Sequence, residues 1–405
     1  MRVLSSCFAL VSFLLIGPAV FAHDGHAHDH QDVGSDDETN QTFTAVLLES
    51  AADNSFTIDE KTYTWKHRSD LGVQSEAMTK AAIPGLHNNA DEDPETGEVV
   101  TVVAKHGLVT LSEDLKEWKL IENQDPYFAK RMNAHGTDCF KLDGKVLWAF
   151  ASTNTNEVVV AQRGEILGKL KKPQGDEFDN EVVNKYYLDG GKFTPCDVVW
   201  LPEAQSLIVV TGYTPGDYVL TAKFVDGNWQ WIGAAWGGKT NLGGPFQTAH
   251  GVEVDNIDGK ETVIIASREH GRIYGFDESG KGVSIPGSNE QKFIALPKGS
   301  TPCNVSLTDS LTSDAAFLPL LNALPSTNKV APVLVMVDGI SVGNLIPASF
   351  DGLQYMHHVH GFRTVTRDGK LFGIALSWPN GWENKNGKRN DGQTAVFEAV
   401  EVSAN

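Results

Sequence analysis

The chain has 405 residues, of which 41% are apolar and 21% charged, and its formal net charge is −19. An acid excess of this size argues against nucleic acid and anionic membrane surfaces as partners, because both repel it, and is compatible with cation binding. The length exceeds that of most single domains but suits a repeat architecture acting as one unit.

The first 22 residues read as a leader. Arg2 precedes an apolar run, FALVSFLLIGPAV, and Val20-Phe21-Ala22 supplies a small-x-small cleavage site, the layout of a secretory signal peptide. The run is too short for a comfortable membrane span, and no later stretch is long and apolar enough, so the expectation is an exported protein, periplasmic or secreted, without membrane insertion. Arg2 is the only charged residue removed, so the mature charge is −20. Cys139, Cys196 and Cys303 remain, an odd count that leaves at least one thiol free or on a metal.

Residues 23–41, HDGHAHDHQDVGSDDETNQ, hold nothing apolar to bury and read as a disordered tail. Four imidazoles within eight residues, His23, His26, His28 and His30, can collect zinc, copper or nickel. A copper site on His23 and its free amine would need a preformed partner histidine.

From Thr42 to the C-terminus, alternating strands are punctuated by Gly, Asn and Asp turns. The one helix expected is a short helix or lid at Ala315–Leu324, AAFLPLLNAL. The strand pattern repeats. Phe246–Lys281 reads as a three-stranded meander with a His-Gly at its head and an Arg at the end of its second strand, and equivalent heads stand at His87, His135, Cys196, His250, Cys303 and His360. Their spacings are 48, 61, 54, 53 and 57 residues, the length of a four-stranded unit. The chain therefore reads, over residues 42–405, as an all-β, six-bladed β-propeller with a central channel, closed either by TFTAVLL near Thr42 or by the C-terminal TAVFEAV. The second strand of the fifth unit reads as Pro332–Val337.

In such a fold the six heads form a ring around the channel. His135, His250 and His360 lie on alternate units, are each followed by Gly, and can converge on the axis, where three neutral imidazoles suit a catalytic zinc. Cys196 and Cys303 read either as small channel-lining residues or as softer ligands. At the channel mouth, 17 or 18 residues beyond the heads, stand Tyr213, Arg268 and Lys105. A phenol beside a cation and a metal can serve as a general base, and an Arg can hold a carboxylate by two parallel bonds.

Two stretches carry a resemblance. Phe246–Asp277 (FQTAHGVEVD…VIIASREHGRIYGFD) and Thr194–Tyr213 (TPCDVVWLPEAQSLIVVTGY) are similar to blades of the peptidyl-α-hydroxyglycine α-amidating lyase family. The resemblance implies a six-bladed propeller with zinc on His135, His250 and His360, Tyr213 as base, Arg268 gripping the carboxylate of a small-molecule or peptide substrate in the channel, and cleavage to a peptide amide and glyoxylate. The second family Arg falls near Lys105. The family's calcium is implied as well, but the Asp that follows its last zinc histidine is Gly361 here. The His-rich tail joined to a His/Cys channel also looks like the periplasmic zinc metallochaperones that feed a metal-transport binding protein. A third reading is a non-enzymatic protein-binding platform.

Overall fold

The computed structural model describes residues 54–308, 315–321, 332–379 and 391–402. The leader, the histidine tail and the Thr42 strand lie outside these residues. Among the described residues the fold is all-β, built of antiparallel sheets with three short α-helices, Glu76–Gly85, Pro126–Lys130 and Glu181–Leu188. No described helix is long and apolar enough to cross a membrane.

The strands are β1 (Ser55–Ile58) and β2 (Lys61–His67), then four sheets in succession. The first is β3 (Asp91–Glu92), β4 (Val99–Val103), β5 (Gly107–Leu111) and β6 (Trp118–Leu120). The second is β7 (Ala134–Leu142), β8 (Lys145–Ser152), β9 (Glu157–Gln162) and β10 (Glu165–Leu170). The third is β11 (Asp197–Leu201), β12 (Ser206–Val210), β13 (Tyr218–Val225) and β14 (Asn228–Gly237). The fourth is β15 (Ala249–Ile257), β16 (Lys260–Ser267), β17 (Arg272–Phe276) and β18 (Gly282–Val283), with β19 (Phe293–Ala295) also on β17. A nine-stranded sheet takes the rest: β20 (Ser306–Thr308), β21 (Ala315–Pro319), β22 (Val333–Val337), β23 (Ile340–Leu345), then β1, β2, β26 (Thr394–Glu401), β25 (Lys370–Ser377) and β24 (Val359–Arg367).

Two expectations for the fifth unit are corrected. Ala315–Pro319 is a strand, not the start of a helix, paired from Ala315↔Val337 to Pro319↔Val333. It is the second strand of its unit, and Val333–Val337 is the third. A short apolar run carries no period that separates a buried strand from a buried helix, and here pairing on both edges decides. The C-terminal TAVFEAV does pair with an N-terminal strand, but its described partner is β2, from Tyr63↔Glu401 to His67↔Phe397.

β4, β11 and β12 are buried at every residue and, apart from Thr101, Asp197 and Ser206, apolar. The reason is that each sheet is covered on both sides by its neighbours. One core cluster joins the first and second sheets through Val100, Phe128, Trp148 and Phe150. Others join second to third through Phe140 and Trp200, third to fourth through Ile208 and Ile265, and fourth to the β20–β23 run through Ile264 and Leu334. Phe317 and Phe362 join that run to β24–β26. Finally Val109, Leu111, Phe372 and Ile374 pack β24–β26 back onto the first sheet. The succession of cores thus returns to where it began.

Candidate metal centre

His135, His250 and His360 owe their position to the same local device. Each is the extra residue of a β-bulge at the head of its sheet, where the register slips between Ala134 and Gly136, Ala249 and Gly251, or Val359 and Gly361. A bulge re-aims one side chain out of the pleat, and here it aims an imidazole. The glycine that follows each has a steric reason. A Cβ on Gly136 would stand 2.5 Å from Asp197 Cα, on Gly251 2.7 Å from Asn304 Cα, and on Gly361 2.5 Å from Asn89 Cα. Each bulged strand therefore touches the backbone of the next sheet's head, and only glycine leaves room.

Four imidazoles converge and all are buried. Ring centroids lie 4.7 Å apart for His87 and His135, 4.6 Å for His87 and His360, 4.4 Å for His135 and His360, and 4.6 Å for His135 and His250. His87, His135 and His360 each offer a ring nitrogen within 4.8 Å of the other two, and this trio can hold a metal ion. The trio differs from the set expected on alternate units, since His87 stands where His250 was expected. His250 is 5.3 Å, centroid to centroid, from His360 and ties to the others through a phenol.

The hydrogen bonds fix the tautomers. His135 Nδ1 meets Cys196 O at 2.7 Å and His250 Nδ1 meets Cys303 O at 2.5 Å. A carbonyl only accepts, so in each neutral ring Nδ1 donates and Nε2 presents a lone pair, the arrangement by which metal-binding histidines are held. Both lone pairs point at one hydroxyl, Tyr213 Oη, at 3.0 Å from His135 Nε2 and 2.8 Å from His250 Nε2. That hydroxyl has one proton, and its oxygen already accepts from Arg268 Nη1 at 3.1 Å. His360 Nε2 also faces His135 Nε2, at 3.1 Å, and its Nδ1 has no hydrogen-bond partner. With His360 Nε2–H donating to His135 and the Tyr213 hydroxyl to His250, the buried His360 Nδ1 is left as a lone pair without a donor, and a cation fits it. Burial first, then neighbouring charges and imidazoles, hold His250 and His360 well below the usual histidine range, so they stand ready as neutral ligands.

The remaining expected site residues divide. Cys196 and Cys303 serve through their backbone carbonyls; the Cys196 thiol lies 3.9 Å from Thr194 O, and the Cys303 thiol 3.6 Å from His358 Nε2. Tyr213 reaches two imidazoles and Arg268 reaches the Tyr213 hydroxyl, while Arg268 turns Nε and Nη2 onto Glu269 Oε1, at 3.0 and 2.7 Å. Burial pushes the Tyr213 phenol above its ordinary range despite the opposing pull of Arg268. Lys105 is exposed on the β4–β5 turn at φ +63°. His23, His26, His28 and His30 lie outside the described residues. The residues not singled out from sequence are His357 and His358, beside His360 in HHVHG, and Trp378, which stacks on His87 at 5.0 Å and meets His358 edge-on at 5.1 Å.

Three residues further along the bulged strands the lining changes to acid: Asp138 on β7 and Glu253 on β15, with Asp91 of β3 beside them. Arg363, at the same step on β24, pairs with Asp91 at 2.9 Å and Glu253 at 3.0 Å around a cavity of about 10 Å³. At this level a guanidinium supplies the positive charge, and Gly361 offers no carboxylate toward the implied calcium.

No family model matches the chain, and no curated protein matches it.

Proposed function

We propose that this chain is an exported six-bladed β-propeller that holds a transition-metal ion of the zinc class in its channel. Six four-stranded antiparallel runs, with cores that pass from each to the next and return to the first, support the propeller reading. The observation that carries the metal is the convergence of three buried imidazoles, His87, His135 and His360, each with a ring nitrogen within 4.8 Å of the other two, with the His360 Nδ1 lone pair lacking a donor. Imidazole donors suit zinc, copper or nickel rather than calcium or magnesium.

Holding and delivering the ion fits the site better than lyase chemistry. Arg268 is committed to Glu269 and Tyr213, so a substrate carboxylate would have to displace Glu269. Lys105, at the place of the family's second Arg, is exposed on a turn. In this reading His23–His30 collect the ion, the channel imidazoles hold it, and a metal-transport binding protein receives it. Tyr213 and Arg268 beside the imidazoles favour the lyase as the second reading, in which zinc supplies a Lewis acid and Tyr213 takes the substrate hydroxyl proton.

Zinc uptake from a weak chelator by the full chain distinguishes them. Replacing His23, His26, His28 and His30 by Ser should slow uptake while leaving the final channel occupancy unchanged. Unchanged uptake rate in that variant contradicts the carrier reading. Release of glyoxylate from an α-hydroxyglycine peptide, lost in Tyr213→Phe with metal still bound, establishes the lyase.

A further inference from the structure

One pair of ligand-type side chains lies outside the imidazole trio and is used by nothing described so far. Cys303 Sγ stands 3.6 Å from His358 Nε2, and both residues are buried. The distance has a meaning in coordination chemistry. With zinc–sulfur and zinc–nitrogen bonds of about 2.3 and 2.05 Å, two ligands at the tetrahedral angle place S and N about 3.6 Å apart; a linear arrangement would need more than about 4 Å. The pair is therefore already spaced as two arms of one tetrahedral ion.

The chain supplies an internal comparison. Cys196 holds the equivalent head position two units earlier, and its carbonyl orients His135 as that of Cys303 orients His250. Yet the Cys196 thiol meets backbone groups, the Thr194 carbonyl at 3.9 Å and the Tyr213 amide. The thiol–imidazole pairing is thus particular to Cys303. It is not a nucleophilic dyad either. Both groups are buried, which disfavours the charged thiolate–imidazolium form of such a pair. What turns such a thiol into a thiolate is a metal, the thiol proton leaving to solvent as the sulfur–metal bond forms.

The pair also sits beside the trio. His358 and His360 rings are 6.1 Å apart, and the Trp378 indole touches both His358 and His87. We propose that Cys303 and His358 form a second, softer metal position next to the imidazole trio, taking a thiophilic tetrahedral ion such as zinc and leaving two coordination places open for exchange. A two-arm position that keeps open places releases its ion faster than a closed site, which is what a passage point between solvent and trio requires. The assignment uses none of the trio's residues and stands or falls separately from it.

Cobalt(II) tests it, because a cobalt–thiolate bond gives a charge-transfer band in the near ultraviolet that imidazole ligands alone do not. The metal-free full chain titrated with cobalt should develop that band. It should vanish in Cys303→Ser, persist in Cys139→Ser and Cys196→Ser, and persist in the His87→Gln/His135→Gln/His360→Gln variant. His358→Gln should weaken cobalt binding at the band by at least about 10–100-fold, the range seen even for residues that only orient a ligand. Absence of the band in the native chain, or its survival in Cys303→Ser, overturns the proposal. If Cys303→Ser does not fold, His358→Gln decides alone, and a band of native affinity there overturns it.

Discussion

The Tyr213 hydroxyl joins more of the site than any other atom, so its removal is the most informative perturbation. In Tyr213→Phe the ring keeps its place while three contacts vanish, to His135 Nε2, His250 Nε2 and Arg268 Nη1. Without metal, the loss leaves a guanidinium nitrogen and an imidazole lone pair buried without that partner. A bond to a charged group is worth roughly 1.5–3 kcal/mol and an orphaned neutral acceptor costs roughly 1–3 kcal/mol, so the metal-free variant should lose about 3–5 kcal/mol. With zinc bound, the ion satisfies the His135 lone pair, and the loss should shrink by at least about 1 kcal/mol. Urea denaturation of native and variant chains, each with and without zinc, reads the four values directly. Equal destabilisation with and without zinc would refute the idea that Tyr213 stands in for a cation, as would a metal-free variant as stable as the native chain.

Other consequences are independent of that one. Gly136→Ala forces a Cβ against Asp197 Cα and should cost about 1–3 kcal/mol or more, while Gly282→Ala, whose nearest contact is Lys292 Cδ at 3.5 Å, should change stability by less than about 0.5 kcal/mol; equal effects would refute the close approach of the strands. Asp217 accepts from Thr248 N at 2.6 Å and Ala249 N at 2.9 Å, fixing the chain just ahead of His250, and burial raises its carboxyl to about 6. A folded-state value above the unfolded one means the stabilisation is complete below about pH 4 and is lost as pH rises through about 6. The loss, about 3 kcal/mol, should vanish from the pH–stability profile of Asp217→Asn, and a profile unchanged in that variant contradicts the assignment. Trp378→Ala removes ring contacts to His87 and His358 and should speed zinc release about tenfold; an unchanged rate to a chelator would show that the indole does not cover the site.

What could be read from sequence was whatever carries a repeated physical constraint. The His-Gly pairs at 135, 250 and 360 are visible because a bulge and a backbone contact impose the same two residues three times. His87 carries no such mark: it precedes Asn88 rather than Gly and lies ahead of β3, so its place in the trio emerges only when the first and last sheets meet. That Cys196 and Cys303 orient His135 and His250 could not be read from their side chains, because the orienting atom is a carbonyl that every residue has. Arg268 was legible as a cation at the channel mouth, but its capture by the adjacent Glu269 depends on side-chain direction. The pairing of β2 with β26 joins chain segments more than 320 residues apart, beyond any local pattern, whereas the alternation within each hairpin was plain.

The central claim is that the buried imidazoles, and not the tail alone, bind metal. Its most direct test is the zinc content of the full chain carrying His23→Ser, His26→Ser, His28→Ser and His30→Ser, after mild chelation, beside the same chain with His135→Gln and His360→Gln added. Mild chelation empties the exchangeable Cys303–His358 position, so about one zinc per chain is expected in the first and none in the second, with the fold intact in both. An empty first protein, or equal zinc in the two, would contradict it.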